Sequence, residues 1–475
     1  MPEVWYLKEI RHKDKEIRDL KQQNAQKDER IAELEHENER LQEELKQYAM
    51  AKQAKRPRFS QNFSLSHHEQ KERKQQLSPG RTPKEEKLSS VQREENVYPN
   101  GVSPVDCVLS HTRIVTHIRD GRKEVVLYSI YKKKRCNDTP DVPGVLPRGE
   151  YGLEVAVTLA FLVYVIEISI KQAQDILLFF TGIDLNDAQA NRLLSQLESL
   201  WNPEFEKLIT LVTLACLVHI DETGWKTGKE RNYAWIFATL AHTVFLYGKS
   251  RGEDTLDTIL SREFPGTVIT DFLSTYEKYF KSNQKCWAHV LRTVIKLMLL
   301  HPKKREYRRF FDNLYALFTE AKSTKKAAHR TEAQRIKQTI VFQERLRTLC
   351  TRRDDRLSEN TPDDVRAFVN LQKRLIKYID QMFTFVLHPE VEPTNNRAEQ
   401  GLRKTAKARN NYQTSKTAKG ANRRSVLSSV LTSLQQNIPC FSLTTVIEEV
   451  TKWRRDGVTL FDRQLQMAQA RASPG

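Results

Sequence analysis

Two apolar runs in this chain each stop at an acid. The stretch from Leu208 to Ile220 leads into "HIDETGW", where Asp221 and Glu222 stand side by side, and "GTVITDFLSTY" leads to Asp271. Both read as buried strands, the first as "LACLVHIDETGW". A buried strand that ends in a carboxylate restricts the fold strongly. An ionised acid is tolerated there only when a proton, a cation or hydrogen bonds offset its desolvation.

The surrounding elements narrow the choice. After the first acids come two more candidate strands, "NYAWIFATL" and "HTVFLYGKS", then a helical pattern from Gly252 to Phe264 and the Asp271 strand. A helix in "FLSTYEKYF" and a fifth candidate strand in "QKCWAHV", 284–290, follow. Strand, strand, strand, helix, strand, helix, strand is the order of the ribonuclease H-like (retroviral integrase-like) α/β fold, whose first and fourth strands are adjacent. Asp221 and Asp271 are therefore expected to be neighbours.

Carboxylates held a few Å apart persist with a proton or a cation between them. Their oxygens suit Mg²⁺ or Mn²⁺, and two such ions, roughly 3.5–4 Å apart, serve phosphodiester chemistry. A further acid is then needed, and the candidate is Glu399 in "PTNNRAEQGLRKTAKARNNY". Glu222 is expected on the opposite side of the strand from Asp221 and ranks behind it as a ligand. Each acid also has a plainer reading: Asp271 as a helix cap, Asn396 with Glu399 as a capping pair, Asp221 as a strand end in a turn.

The charge balance points to a polyanionic partner. Across 475 residues, 78 Lys and Arg against 60 Asp and Glu leave a net charge of +18, which suits nucleic acid, with plain surface solvation as the alternative. Basic residues gather after Glu399: Arg403, Lys404, Lys407, Arg409, Lys416, Lys419, Arg423 and Arg424, interleaved with Asn410, Asn411 and Tyr412. Such a run can grip phosphates and stack on an unpaired base, or form a solvated helix face.

Elsewhere the chain reads in blocks. Residues 1–50 carry heptad spacing, with Asn24 and Asn38 at positions that favour a parallel two-stranded coiled coil, so a homodimer is expected. Residues 51–104 have the polar composition of a linker, including a basic "KRPR". A small β-rich module is expected over 105–145, and a helix-turn-helix-like, DNA-binding region over 150–205, its second helix capped by Asp184 or Asn186. The core is expected over 206–299 and 391–455, with a tail over 456–475. Cys107, His111, His117 and Cys136 are irregularly spaced, and the six cysteines form no C-x-x-C pair, which argues against a zinc site or disulfide framework and for an intracellular setting. No apolar run is long enough to span a bilayer, so no membrane partner is expected.

"HIDETGW", "VITDFLSTY", "CWAHVLR" and "PTNNRAEQGLRKTAKARNNYQT" together resemble the motif blocks of the IS66 family of insertion-sequence transposases, over roughly residues 150–450. The resemblance implies a DDE triad of Asp221, Asp271 and Glu399 holding two Mg²⁺ or Mn²⁺ ions, with a helical insertion over 300–390. It implies a prokaryotic, cytoplasmic, nucleoid-associated enzyme that cleaves double-stranded DNA at the ends of a mobile element and joins the 3′-hydroxyl to target DNA, and it admits small accessory proteins of the same element. Arg397 is placed to hold the scissile strand or orient Glu399. His289, in the C-x-x-H of "CWAH", is expected at a strand end near the acids; Trp225 and Asn396 complete the supporting set. Family members often carry a cysteine-rich block after the linker, of which Cys107 and Cys136 are what remains, so zinc is not expected there. A metal-dependent nuclease of the same fold, or a catalytically idle DNA-binding derivative, are the competing readings.

Overall fold

The computed structural model describes residues 84–147, 149–277, 279–325, 331–350, 361–410 and 414–472. Of the two units of the chain, Met1–Thr82 and Pro83–Gly475, these all belong to the second. The coiled coil expected over 1–50 and most of the linker expected over 51–104 lie outside the described residues.

A three-stranded sheet comes first. After α1 (Lys84–Ser89) come β1 (Arg93–Val97), β2 (Cys107–Arg119) and β3 (Arg122–Lys133), in the order β1-β3-β2. β2 and β3 are antiparallel and turn through Asp120 (φ 50°) and Gly121 (φ 74°), the positive-φ pair whose twist matches the flanking strands. β1, parallel to β3, lies inside the stretch expected to be linker. Its polar "REENV" carries no strand signal because backbone bonding to β3, rather than an apolar face, holds it.

Three helices follow: α2 (Leu153–Tyr164), α3 (Ile170–Thr181) and α4 (Asp187–Thr213). Ser169 and Asn186 close capping boxes at the starts of α3 and α4, and Gly182, at φ 75°, ends α3. α4 runs well past the boundary expected near 205. Leu208, Leu211 and Val212 are buried at helical spacing, so the first part of the run read as entering a strand is the last two turns of a helix. A continuous apolar run looks alike in both settings.

The central sheet contains β4 (Leu217–Thr227), β5 (Glu230–Ala238), β6 (Thr243–Lys249), β7 (Thr267–Thr270) and β8 (Asn283–Lys285), in the order β6-β5-β4-β7-β8. β5 is antiparallel to both β4 and β6, while β4, β7 and β8 are parallel. The helix expected from Gly252 to Phe264 is only α5 (Glu253–Asp257), continued by turns in which the Ile259 and Leu260 N–H groups donate to the Leu256 carbonyl. In "FLSTYEKYF" a single 3₁₀ turn, Ser274–Tyr276, stands where a helix was expected. β8 is only three residues long, and α6 (Trp287–Leu300) starts within "CWAH". His289 is therefore on the first turn of a helix rather than at a strand end.

α6 leads into α7 (Arg305–Lys325), α8 (Glu332–Cys350), α9 (Asp363–Lys377), α10 (Ile379–Met382) and α11 (Thr384–Leu387). These helices share a core of their own around Trp287, Phe318, Phe342 and Phe383, where Trp287 stacks on Phe318 with centroids 5.0 Å apart. The chain returns to the sheet in α12 (Asn396–Asn410) and α13 (Ala418–Asn437), then ends in α14 (Leu443–Asp456) and α15 (Leu460–Ala472). The segment expected to be a tail thus includes α15, anchored by buried Phe461 and by Lys207 bridging to Asp462.

Helices cover both sheet faces, so strand residues alternate between two cores. Trp235, Phe237, Val244 and Leu246 join the larger core with α4 and α13. Ala234, Ile236, Phe245 and Tyr247 join a smaller one under α12 with Trp225, Ala398 and Leu402. α12 sits so close that a Cβ on Gly401 would lie 2.3 Å from Ile236 Cδ1. The open edge of β6 is closed by a helix: the backbone N–H groups of Thr243, Phe245 and Tyr247 donate to Ser433, Ser429 and Ser425 Oγ at 3.0, 2.8 and 2.9 Å. Four helical residues rise about 6 Å and two strand residues about 6.8 Å, so alternate strand amides meet every fourth helix residue. Among the described residues no helix is long and apolar enough to cross a membrane.

Candidate active site

β4 does not end at its acids. It pairs with β5 from His219 to Thr227, but with β7 only at Leu217, Val218 and His219. What stops at the acids is the parallel pairing, and there one edge of β4 opens. The same register carried two residues further sets Asp221 beside Asp271. Asp221 stands opposite Ile236 on β5, a residue of the core under α12, so alternation turns Asp221 toward α12 and Glu222 to the other face. There Glu222 Oε1 accepts from Arg251 Nη2 at 2.7 Å and Oε2 from the Tyr276 hydroxyl at 2.6 Å.

Asn395, fully buried, joins the third acid to this strand. Its Nδ2 donates to the Ile220 carbonyl at 2.7 Å, its Oδ1 lies 3.1 Å from His219 Nδ1, and its backbone N–H reaches Cys286 Sγ at 3.1 Å. Its own carbonyl accepts from the Glu399 backbone N–H at 3.1 Å. One residue thus ties together β4 next to Asp221, the start of α6 and the first turn of α12. Asn396, the asparagine expected to support the site, is exposed. The Glu399 carboxylate accepts from Arg292 Nη2 at 2.7 Å and lies 3.4 Å from His289 Nδ1 and 3.8 Å from Cys286 Sγ.

The fields at these acids are strong. Burial first, then Glu222 and Asp271, push the Asp221 carboxyl up to about 8, Glu399 adding to the rise. Burial and then Asp271 also raise Glu222, against the lowering effect of Tyr276 and Arg251. Lys285, fully buried, donates to Thr270 Oγ1 at 3.1 Å and to the Asp271 carbonyl at 2.9 Å. Burial lowers its ammonium to about 8 even though Asp271 works the other way. Among the described residues, the metal-type donors whose ligand atoms all fall within 4.8 Å of one another are Cys286, His289 and Glu399; the three acids stand further apart.

Residues 148–423 match the family model described as Transposase IS66 family. The chain belongs to the IS66 family of transposases. No curated protein matches it.

The basic residues of this transposase divide into two groups. Arg403, Lys407, Lys416 and Lys419 are exposed. Others are engaged with the protein. Arg409 donates to Thr223 Oγ1 and the Gly224 carbonyl on β4, Lys404 to the Val165 carbonyl, and Arg423 to Tyr164, Asn191 and Ser195. Arg424 is buried against Glu167, beneath Trp225, Tyr164 and Tyr247. Arg397 lies 3.8 Å from Glu392. Trp225 is buried and donates to Ser415 Oγ at 3.1 Å, pinning the segment after α12 to β4. Tyr412 lies outside the described residues.

Four contributors carried no local signal in the sequence: Arg251, Tyr276, Lys285 and Asn395. Glu222 meets Arg251 and Tyr276 across 29 and 54 residues of chain, a distance over which periodicity is silent. Asn395 is the first of a doubled asparagine, and only its burial separates it from its neighbour. In the module over 105–145, Cys107 Sγ faces the Ser103 carbonyl and buried His117 sits between Glu154 and Tyr128.

Proposed function

We propose that this IS66 transposase is a DDE enzyme with a ribonuclease H-like core, in which Asp221, Asp271 and Glu399 form the catalytic triad. The observation that carries the reading is the end of the β4–β7 pairing at the acids, with Asn395 running from the residue before Asp221 to the turn that bears Glu399. The strand order β6-β5-β4-β7-β8, in which β5 alone runs antiparallel to the other four strands, supports the fold, and α7 to α11 fill the place of the helical insertion.

The donor set fits Mg²⁺ or Mn²⁺. Asp221 is driven toward protonation by burial and then by the charges of Glu222, Asp271 and Glu399, a penalty that a divalent cation relieves. Bound there, two ions supply activation of the attacking oxygen and charge neutralisation at the leaving oxygen of a phosphodiester. The chain's own residues do the positioning. Asn395 holds Glu399 to β4, Lys285 fixes the backbone at Asp271, and exposed Arg403, Lys407 and Lys416 offer charge to the DNA backbone. The substrate is double-stranded DNA at an element's ends, cleaved to a 3′-hydroxyl that then attacks target DNA.

Purified protein with end-sequence DNA and Mg²⁺ tests the reading. Asp221→Asn, Asp271→Asn and Glu399→Gln are expected to bind the ends but not cut them. Cleavage by the Asp271→Asn protein would overturn the assignment, and a pre-cut end that is never joined to target would reduce the activity to that of a nuclease.

A further inference from the structure

The donors that come closest together are not the three acids. Cys286 Sγ, His289 Nδ1 and the Glu399 carboxylate all lie within 4.8 Å of one another. His289 Nδ1 is buried and makes no hydrogen bond, which is costly for a ring nitrogen with a lone pair or a proton to place. Cys286 is fully buried, and its sulfur accepts the Asn395 backbone N–H, the kind of outer contact that orients a thiolate ligand. Cys286 and His289 sit one helical turn apart at the start of α6, a spacing that brings both side chains to the same side.

We propose that Cys286, His289 and Glu399 form a binding site for a soft divalent cation, Zn²⁺ by its chemistry, that shares Glu399 with the Mg²⁺ site of the acids. Thiolate, imidazole and carboxylate together match zinc and disfavour magnesium, which takes oxygen. Three protein ligands leave a fourth position for water. Binding releases the Cys286 thiol proton, and Arg292, half exposed beside Glu399, gives up its carboxylate partner to the metal. Resting on the assignment of Glu399 as the third acid, the consequence is regulatory: zinc takes Glu399 from Asp221 and Asp271 and holds the transposase inactive. The module over 105–145, where the sequence raised the question of zinc, is not involved.

Cobalt reports the site without any activity measurement, because a Co²⁺–thiolate bond gives a charge-transfer band in the near ultraviolet. Titrating the full-length protein with Co²⁺ is expected to produce that band, and Zn²⁺ to bleach it. Cys286→Ser should abolish it, with circular dichroism confirming the fold. His289→Ala and Glu399→Gln should each weaken Co²⁺ binding by on the order of tenfold or more. A wild-type protein without the band, or a Cys286→Ser protein that keeps it, overturns the proposal, as does unchanged affinity in His289→Ala. If the band behaves as stated but Glu399→Gln still cleaves DNA, the metal site stands and the triad assignment falls.

Discussion

The side-chain amide of Asn395 donates a 2.7 Å hydrogen bond to the carbonyl of Ile220, the residue before Asp221 and across 175 residues of chain. It links β4 beside Asp221 to the turn that bears Glu399, two acids far apart in sequence. Asn395→Ala leaves the Ile220 carbonyl and His219 without their partner in a buried setting, which costs about 1–3 kcal/mol. The expected phenotype is a lower unfolding midpoint in urea together with a fall in DNA cleavage larger than any fall in DNA binding. A variant that cuts at the wild-type rate would show that the link does not position Glu399.

Acidity at Asp221 makes stability depend on pH in a definite direction. Its folded carboxyl titrates near 8 against an ordinary 3.8, so between those values the folded protein holds a proton that the unfolded chain has released. Stability from this group therefore declines as pH rises through that window. Metal-free protein should melt at progressively lower temperature from mildly acidic to mildly alkaline pH. Mg²⁺ should raise the melting temperature most at the alkaline end, and Asp221→Asn should flatten both effects. A wild-type profile that is already flat would contradict the burial and repulsion described at this acid.

Glu222 gives a different expectation from its neighbour. Its carboxylate is occupied by Arg251 and Tyr276, so its work is to fix the turn after β7 against β4. Tyr276→Phe removes a hydrogen bond to a buried charge and should lower stability by about 1.5–3 kcal/mol, measured by denaturant titration. Glu222→Gln should retain measurable cleavage where Asp221→Asn retains none.

Much of this arrangement was legible in the sequence, for identifiable reasons. β5 and β6 declare themselves because both faces are buried and their runs are almost wholly apolar. Asp221, Asp271 and Glu399, the proposed triad, draw notice in the sequence because each follows or opens a strong element. What was hidden is what depends on partners distant along the chain. The strand β1 has no apolar face of its own, the end of α4 shares its composition with the strand that follows, and Arg424 looks like one more member of a basic run. Burial alone tells Arg424 from Lys416, and burial is set by the packing of α13 on β4 and β6.

Arg424 therefore belongs with stability rather than with DNA. It is buried with Glu167 beneath three aromatic rings, so Arg424→Ala strips the Glu167 carboxylate of its guanidinium and should cost about 3 kcal/mol. Replacing Glu167 and Arg424 together by apolar residues should recover much of that loss. Lys416→Ala, by contrast, should leave the melting temperature unchanged and reduce the salt dependence of DNA binding. If Arg424→Ala weakened DNA binding with no loss of stability, its buried placement would be refuted.

The serines of α13 that close the edge of β6 lie as far as 190 residues downstream of it. At about 5–20 residues per second of synthesis, that edge leaves the ribosome roughly 10–40 s before its cover exists. For that interval the nascent chain carries bare strand amides that any other extended chain could pair with. A transcript truncated between β6 and Ser425 would yield a product with that edge permanently open, so premature termination in this gene favours aggregation over a soluble fragment.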